Sequence, residues 1–234
     1  MTTKTSISEK NCNGEAILLR SPKPEDWPHI AELFAKSLPN ALASSLGRRF
    51  GVCYYRYMAE ASGAVSVAAF DQTGTLAGIV IGTLDRQRVL RPPFSLKLQL
   101  LAAAHFRLFS PAFLRWLAYS RHTTKRLDTA NSQLRAELLM IAIAPDFRGQ
   151  RLASRLLDEL ELFFRNHGLI KPYIIHTEKS NHAANILYEQ IGASFAGTNL
   201  YHNKQINEWH KTVTQTESNT SRLDQEVPAK LPEY

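Results

Sequence analysis

The run Ala144-Pro145-Asp146-Phe147-Arg148-Gly149-Gln150-Arg151-Leu152-Ala153 joins an apolar, strand-like segment to a segment with helical periodicity. In that second segment Leu152, Leu156, Leu157, Leu160, Phe163 and Phe164 fall on one stripe, and Gly168 marks its end. A strand that delivers a short glycine-containing loop into a helix N-terminus aims several free backbone N–H groups at one point. The helix dipole adds partial positive charge there, which suits a diphosphate. Taken alone, the same loop is equally an ordinary strand-to-helix connection. A second constellation follows downstream. Asn181 opens a helix, and Tyr188 comes seven residues later, about two turns on, so the two side chains share roughly one face. Alone, Asn181 reads as an N-cap and Tyr188 as a half-buried core tyrosine. Their position relative to the phosphate loop makes the pair informative.

The elements that would position these residues can be read along the chain. Residues 1–13 are polar and expected to be disordered. Ala16–Arg20 reads as a strand, and Ser21–Asp26 opens a helix with Trp27, Ile30, Leu33 and Phe34 at helical spacing, ended by Pro39. A second helix is expected over 42–60, with Leu42, Leu46, Phe50, Tyr54 and Tyr57 on one face. A hairpin follows, 64–70 and 76–83, turned by Asp71-Gln72-Thr73-Gly74. From residue 134 strands and helices alternate: a strand at 138–144, a helix at 151–166, a strand at 173–177, a helix at 182–191 closed by Gly192, and a hairpin within 194–212. The tail, 214–234, is polar and expected to be disordered. Residues 86–133 interrupt the pattern as an insertion. Its middle, Phe94–Tyr119, is rich in Leu, Ala and Phe and is split by Pro111 into two expected helices, and 121–131 reads as a loop. The organisation is thus one domain over 14–213 with a helical insertion at 86–133.

Glu137-Leu-Leu-Met-Ile-Ala-Ile-Ala-Pro-Asp-Phe-Arg148-Gly-Gln-Arg-Leu-Ala153 resembles the strand and pyrophosphate loop of the GNAT superfamily of acyl-CoA-dependent N-acetyltransferases. Asn181-His-Ala-Ala-Asn-Ile-Leu-Tyr188-Glu-Gln-Ile-Gly192 resembles the motif that follows it in that family. The likeness is close over about 134–195, and residues 16–83 agree with the family's N-terminal β-α-α-β-β order. It implies an α/β (or α+β) GNAT fold: a mixed, mostly antiparallel sheet flanked by helices, with the helical insertion before the cofactor-binding strand. Two departures stand out. Arg151 occupies the place of the family's usual first loop glycine, and the expectation is that it is already helical, so that an arginine costs little there. Ala193 precedes Ser194-Phe195 where the family has Phe directly after Gly.

By resemblance, Ile141, Ala142 and Ile143 would pair with the pantetheine of acetyl-CoA and offer an amide to the thioester carbonyl. Arg148, Gly149, Gln150, Arg151, Leu152 and Ala153 would hold the diphosphate. Asn181 would contact the pantetheine or the substrate side of the cofactor, and Tyr188 would act as general acid toward the sulfur. Two residues compete for the general base. Glu137 matches the place of a glutamate that deprotonates the amine in histone-type members, whereas His176 lies where some protein N-terminal acetyltransferases carry a catalytic Glu. The ordinary pKa of a histidine, about 6.5, would suit a base. Each is also explicable as an ordinary strand residue.

Composition bounds the rest. The chain has 234 residues, 44% of them hydrophobic, a net charge of +7 and two cysteines, Cys12 and Cys53. Two cysteines make neither a disulfide framework nor a metal cluster, which points to a reduced, cytoplasmic protein without a metal. The positive charge suits a phosphorylated co-substrate, but the basic residues are dispersed, so nucleic acid is not an expected partner. No secretory signal or spanning segment is evident. The insertion's Lys97, Arg107, Arg115 and Arg121 accompany aromatic side chains, so it could lid the acceptor site, form a homodimer face, touch a membrane surface or complete the core. The expected acceptor is a primary amine of a small molecule, such as an amino sugar or other metabolite, or of a protein. The competing class is a catalytically quiet acyl-CoA-binding module acting through its insertion.

Overall fold

The computed structural model describes residues 6–10, 16–39, 42–90, 93–103, 134–201 and 204–213. One sheet organises them. Its strands are β1 (Ser6–Lys10), β2 (Ala16–Arg20), β3 (Ala64–Phe70), β4 (Leu76–Thr83), β5 (Glu137–Ile143), β6 (Tyr173–Glu178), β7 (Ser194–Tyr201) and β8 (Lys204–Lys211), in the order β1-β2-β3-β4-β5-β6-β8-β7. Every neighbouring pair is antiparallel except β5 and β6. The expected mixed, mostly antiparallel sheet flanked by helices is therefore present.

Two expectations need correction. The polar N-terminus is not without structure throughout, because Ser6–Lys10 pairs with β2 through Ser6↔Leu19 and Ile7↔Leu18. Without that ladder the N–H and C=O groups along the outer edge of β2 would be open, and backbone pairing needs no apolar sequence. The single helix expected over 42–60 is instead α2 (Leu42–Ser45) and α3 (Arg48–Glu60), interrupted at Gly47 with φ 95°. The break resets the helical phase. Phe50, Gly51, Tyr55, Met58 and Ala59 face the core, while Tyr54 and Tyr57 are only half-buried.

Helix α1 (Trp27–Ser37) and α3 cover one face of the sheet, with Ile30, Phe34, Phe50 and Tyr55 packed against Ile79, Ile81 and Ala142. Helix α6 (Leu152–Asn166) covers the other, where Leu152, Leu156, Leu160 and Phe164 meet Val80, Leu138, Tyr173 and Ile175. Strand β4 lies between these layers and is buried from Ala77 to Thr83. Its Gly78 and Gly82 leave room for side chains of β5 and α6. A Cβ at Gly78 would lie 2.8 Å from Ile143 Cδ1, and one at Gly82 would lie 2.5 Å from Leu160 Cδ1. Two more helices, α4 (Arg86–Leu90) and α5 (Phe94–Ala103), belong to the insertion, and their Val89 and Leu100 join the α1–α3 core. The first of the two helices expected on either side of Pro111 is described as far as Ala103, and the second helix and the loop at 121–131 lie outside the described residues.

Candidate active site

Strand β5 supplies an opening in the sheet. It pairs with the parallel β6 at Glu137↔Ile174 and Leu138↔Ile175 only. From Leu139 onward its ladder runs to β4 alone, and there the register shifts between Ile81↔Met140 and Gly82↔Leu138, leaving Leu139 as an extra, bulged residue. The β6-facing edge of Leu139–Ile143 therefore carries backbone groups with no strand partner. This is the edge that contains Ile141, Ala142 and Ile143.

At the far end of β5 a 3₁₀ turn (Pro145–Phe147) leads to α6. Arg148 Nε donates to Ile143 O at 3.2 Å and Gln150 Nε2 to Asp146 O at 3.1 Å, which tie the loop to its own backbone. Gly149 has φ 76°, and a Cβ there would meet nothing within 4 Å. The expectation for Arg151 fails. It is not yet helical but sits in the left-handed region, φ 57° and ψ 15°, as the residue before the first helical turn. A non-glycine residue there costs on the order of 1 kcal/mol. Its exposed side chain meets no steric objection, and the turn it makes lets α6 begin at Leu152. The first-turn amides of Leu152, Ala153 and Ser154 have no acceptor within the helix and open beside Gly149. The donor set fits a diphosphate.

Helix α7 (His182–Gln190) holds Tyr188. A Schellman motif closes the helix, with Ala193 N donating to Tyr188 O at 3.0 Å and Gly192 N to Glu189 O at 2.9 Å. Tyr188 is buried, 4% exposed, in the same cluster as Leu138 and Leu152, with Ile141 and Ile143 packed against it. Burial pushes its phenol up to about 12, so the hydroxyl keeps its proton at neutral pH. Asn181 is exposed and serves as the N-cap, its Oδ1 accepting from Ala184 N at 3.2 Å. The two motif residues thus occupy different environments.

The two candidate bases are brought together. His176 is the first residue of β6 beyond its pairing with β5, and its Nδ1 lies 2.9 Å from Glu137 Oε1. Its Nε2 lies 3.4 Å from Glu208 Oε2, and Glu208 Oε1 is 2.8 Å from His210 Nε2. Burial disfavours charge on His176, but the Glu137 carboxylate and then Glu208 outweigh it and push the imidazole up to about 9. The hydrogen bond from His176, helped by His210 against burial, holds the Glu208 carboxyl down at about 2. A histidine held as imidazolium has no lone pair with which to accept a proton at neutral pH.

The acetyltransferase (GNAT) family profile matches residues 27–193, most of the chain and all of this site except Glu208 and His210. The chain belongs to the GNAT acetyltransferase family. It is an enzyme of the acyltransferase class, and the family uses acetyl-CoA. Similar solved structures include SsHAT, 16% identical with a TM-score of 0.64 over 85% of this chain and 99% of that one. The ribosomal-protein-S18-alanine N-acetyltransferase from Escherichia coli is 15% identical, with a TM-score of 0.52 over 87% and 97% of the two chains. NAA60 from Arabidopsis thaliana, solved in complex with acetyl-CoA, is 13% identical, with a TM-score of 0.53 over 84% and 98%. Identities this low show a shared fold only. No curated protein is similar enough in sequence to match.

Three residues escaped the sequence reading of this GNAT site. Glu208 and His210 alternate along β8, a period-2 pattern visible in the sequence, but their target on β6 is set by the register His176↔Glu208. Asn185, rather than Asn181, is the hub of α7. Its Oδ1 accepts from Asn207 Nδ2 at 2.9 Å and Trp209 Nε1 at 3.2 Å, and its Nδ2 donates to Asn181 O at 2.7 Å. Among the described residues no helix is long and apolar enough to cross a membrane.

Proposed function

We propose that this enzyme transfers the acetyl group of acetyl-CoA to a primary amine, by direct attack within a ternary complex. The acceptor is the amine of a small molecule, an amino sugar or another metabolite, or of a protein. The observation that carries the reading is the opening of β5 from β6, with amides of Ile141, Ala142 and Ile143 along one wall and Glu137 at its apex. Acetyl-CoA supplies a thioester-activated acetyl group. Arg148, Gly149, Gln150, Arg151, Leu152 and Ala153 hold its diphosphate through backbone donors at the start of α6, and Asn181 contacts the pantetheine with the part of its amide not used in capping.

Glu137 removes a proton from the attacking amine. His176 is the poorer base because two carboxylates keep it charged, and it steadies Glu137 instead. An amide of the β5 edge donates to the carbonyl oxygen as charge develops there, where a preorganised donor is worth most. Tyr188, kept protonated by burial, gives its proton to the departing thiolate as the C–S bond breaks. Val89 and Leu100 support a core-completing role for the described part of the insertion. A cytoplasmic location completes the reading.

The test is an acetyl-transfer assay against a panel of small and peptidyl amines, run on the parent and on Tyr188→Phe. The parent should acetylate at least one amine. The variant should bind acetyl-CoA as tightly by calorimetry while turnover falls about 10²–10⁴-fold, the usual worth of a general acid. Unchanged turnover would remove Tyr188 from that role, and a parent inert toward every amine would overturn the transfer itself.

A further inference from the structure

Four titratable groups stand in one row across three strands: Glu137 on β5, His176 on β6, and Glu208 and His210 on β8. Acid and base alternate along it. Hydrogen bonds join His176 Nδ1 to Glu137 Oε1 and His210 Nε2 to Glu208 Oε1, and an ion pair of 3.4 Å between His176 Nε2 and Glu208 Oε2 links the two halves of the row. The register builds it, with His176 opposite Glu208 and Ile174 opposite His210 in the β6–β8 ladder, and Glu137 opposite Ile174 in the β5–β6 pair. The Glu178–Lys204 ion pair lies farther along, Glu178 standing two residues beyond His176 toward the β7–β8 turn.

The row constrains the central ring. A neutral imidazole has one N–H and one lone pair, so between two carboxylates it would turn a lone pair toward an anion at one end. Only the doubly protonated ring turns an N–H toward both Glu137 Oε1 and Glu208 Oε2. Glu208 is itself anchored, since its other oxygen holds His210 Nε2 at 2.8 Å. Removing the Glu208 charge would release the ring to lose a proton and rotate. The side chains of Glu137 and Glu208 are 14% and 16% exposed, so water replaces such contacts poorly.

We propose that Glu208 is a positioning residue for the transfer, acting through His176 to hold the Glu137 carboxylate in place. With Oε1 taken by the His176 N–H, the proton leaving the amine arrives on Oε2 of Glu137. No further group is consumed: the N–H bond of the amine breaks, an O–H bond forms on Glu137, and the imidazolium keeps both its protons. The inference rests on Glu137 as the base.

The experiment uses the full chain and three variants, Glu208→Gln, Glu208→Asp and Glu137→Gln. The titration of His176 is followed by NMR of its ring nuclei, and turnover is measured across pH 6–10 with the best amine of the panel. Glu208→Gln should move the His176 titration down from about 9 toward its ordinary 6.5. Turnover near pH 7 should fall about 10-fold with the KM for acetyl-CoA unchanged, and Glu208→Asp should restore most of both. An unmoved His176 titration in Glu208→Gln overturns the proposal, as does a moved titration with undiminished turnover. Undiminished turnover in Glu137→Gln instead overturns the base assignment. The ring titration in Glu208→Gln reads the clamp without reference to that base, so the two failures are told apart.

Discussion

Replacing Gly82 with alanine should destabilise the domain by about 1–3 kcal/mol, the usual cost of overpacking a core. The new Cβ would lie 2.5 Å from Leu160 Cδ1, 3.2 Å from Leu160 Cδ2 and 3.3 Å from Glu137 O. Carbon pairs are most comfortable at about 3.5–4.0 Å, so the leucine must retreat by roughly 1 Å. It has nowhere to go, because Leu160 is fully buried on the inner face of α6. On the other side stands the carbonyl of Glu137, held in the β4–β5 ladder where Gly82 pairs with Leu138. For a domain of about 200 residues each kcal/mol is worth about 2–4 °C, so Tm should fall by about 2–12 °C. Thermal unfolding followed by circular dichroism measures this, with urea unfolding to confirm that the m-value is unchanged. The decisive comparison repeats the substitution in a Leu160→Val background, which removes both δ carbons. There the cost of Gly82→Ala should drop below about 1 kcal/mol, because contacting pairs are not additive. A Tm that does not move, or an equal loss in both backgrounds, would refute the steric argument.

Asn185→Ala should cost about 2–4 kcal/mol in urea unfolding, since it leaves the Trp209 and Asn207 donors, both largely buried, without their acceptor. Stability should also fall with alkaline pH. The raised His176 contributes stability that is complete below its unfolded pKa of 6.5 and lost as pH rises through about 9. The depressed Glu208 reports the same pair from the other side, complete above 4.5 and lost as pH falls toward about 2, so the contribution is whole between about 4.5 and 6.5. With a third of the His176 side chain open to solvent, screening trims it to about 1–2 kcal/mol, read as the difference between the parent and His176→Asn in urea unfolding at pH 6 and pH 10.

The loop from Ala144 to Ala153 was legible because its signals are local. A strand ends, a glycine turns, and an apolar stripe of period 3.6 begins at Leu152. Backbone conformation at a single residue was not, and Arg151 is left-handed although its side chain gives no hint of it. Glu137 and His176 were each found, but as rivals. They are 39 residues apart, and only the brief parallel pairing of β5 with β6 makes them neighbours. Glu208 was hidden for the same reason, since hairpin register decides which strand residue it meets. The break of the second helix at Gly47 was visible as a glycine, yet a continuous apolar pattern outweighed it. The segment Ser6–Lys10 has one apolar residue, Ile7, too few for a strand pattern, and its pairing is a matter of backbone satisfaction at an open edge.

The meagre contact between β5 and β6 has a consequence beyond the cleft it creates. Everything after it, from Tyr173 through β6, α7, β7 and β8 to Lys211, is one continuous stretch of chain whose strands hydrogen-bond chiefly to one another. Its backbone joins the remaining sheet through two residue pairs, where every other junction is a longer antiparallel ladder or lies at the N-terminal edge. Such a segment behaves as a cooperative unit of its own, a foldon that native-state hydrogen exchange would see open as a block before the β2–β5 half gives way. It is also a natural cassette. A different C-terminal segment grafted after α6 would have to re-form that short seam and the core contacts of Tyr173, Ile175 and Tyr188, and would exchange Tyr188, His176 and Glu208 together while leaving the phosphate loop in place.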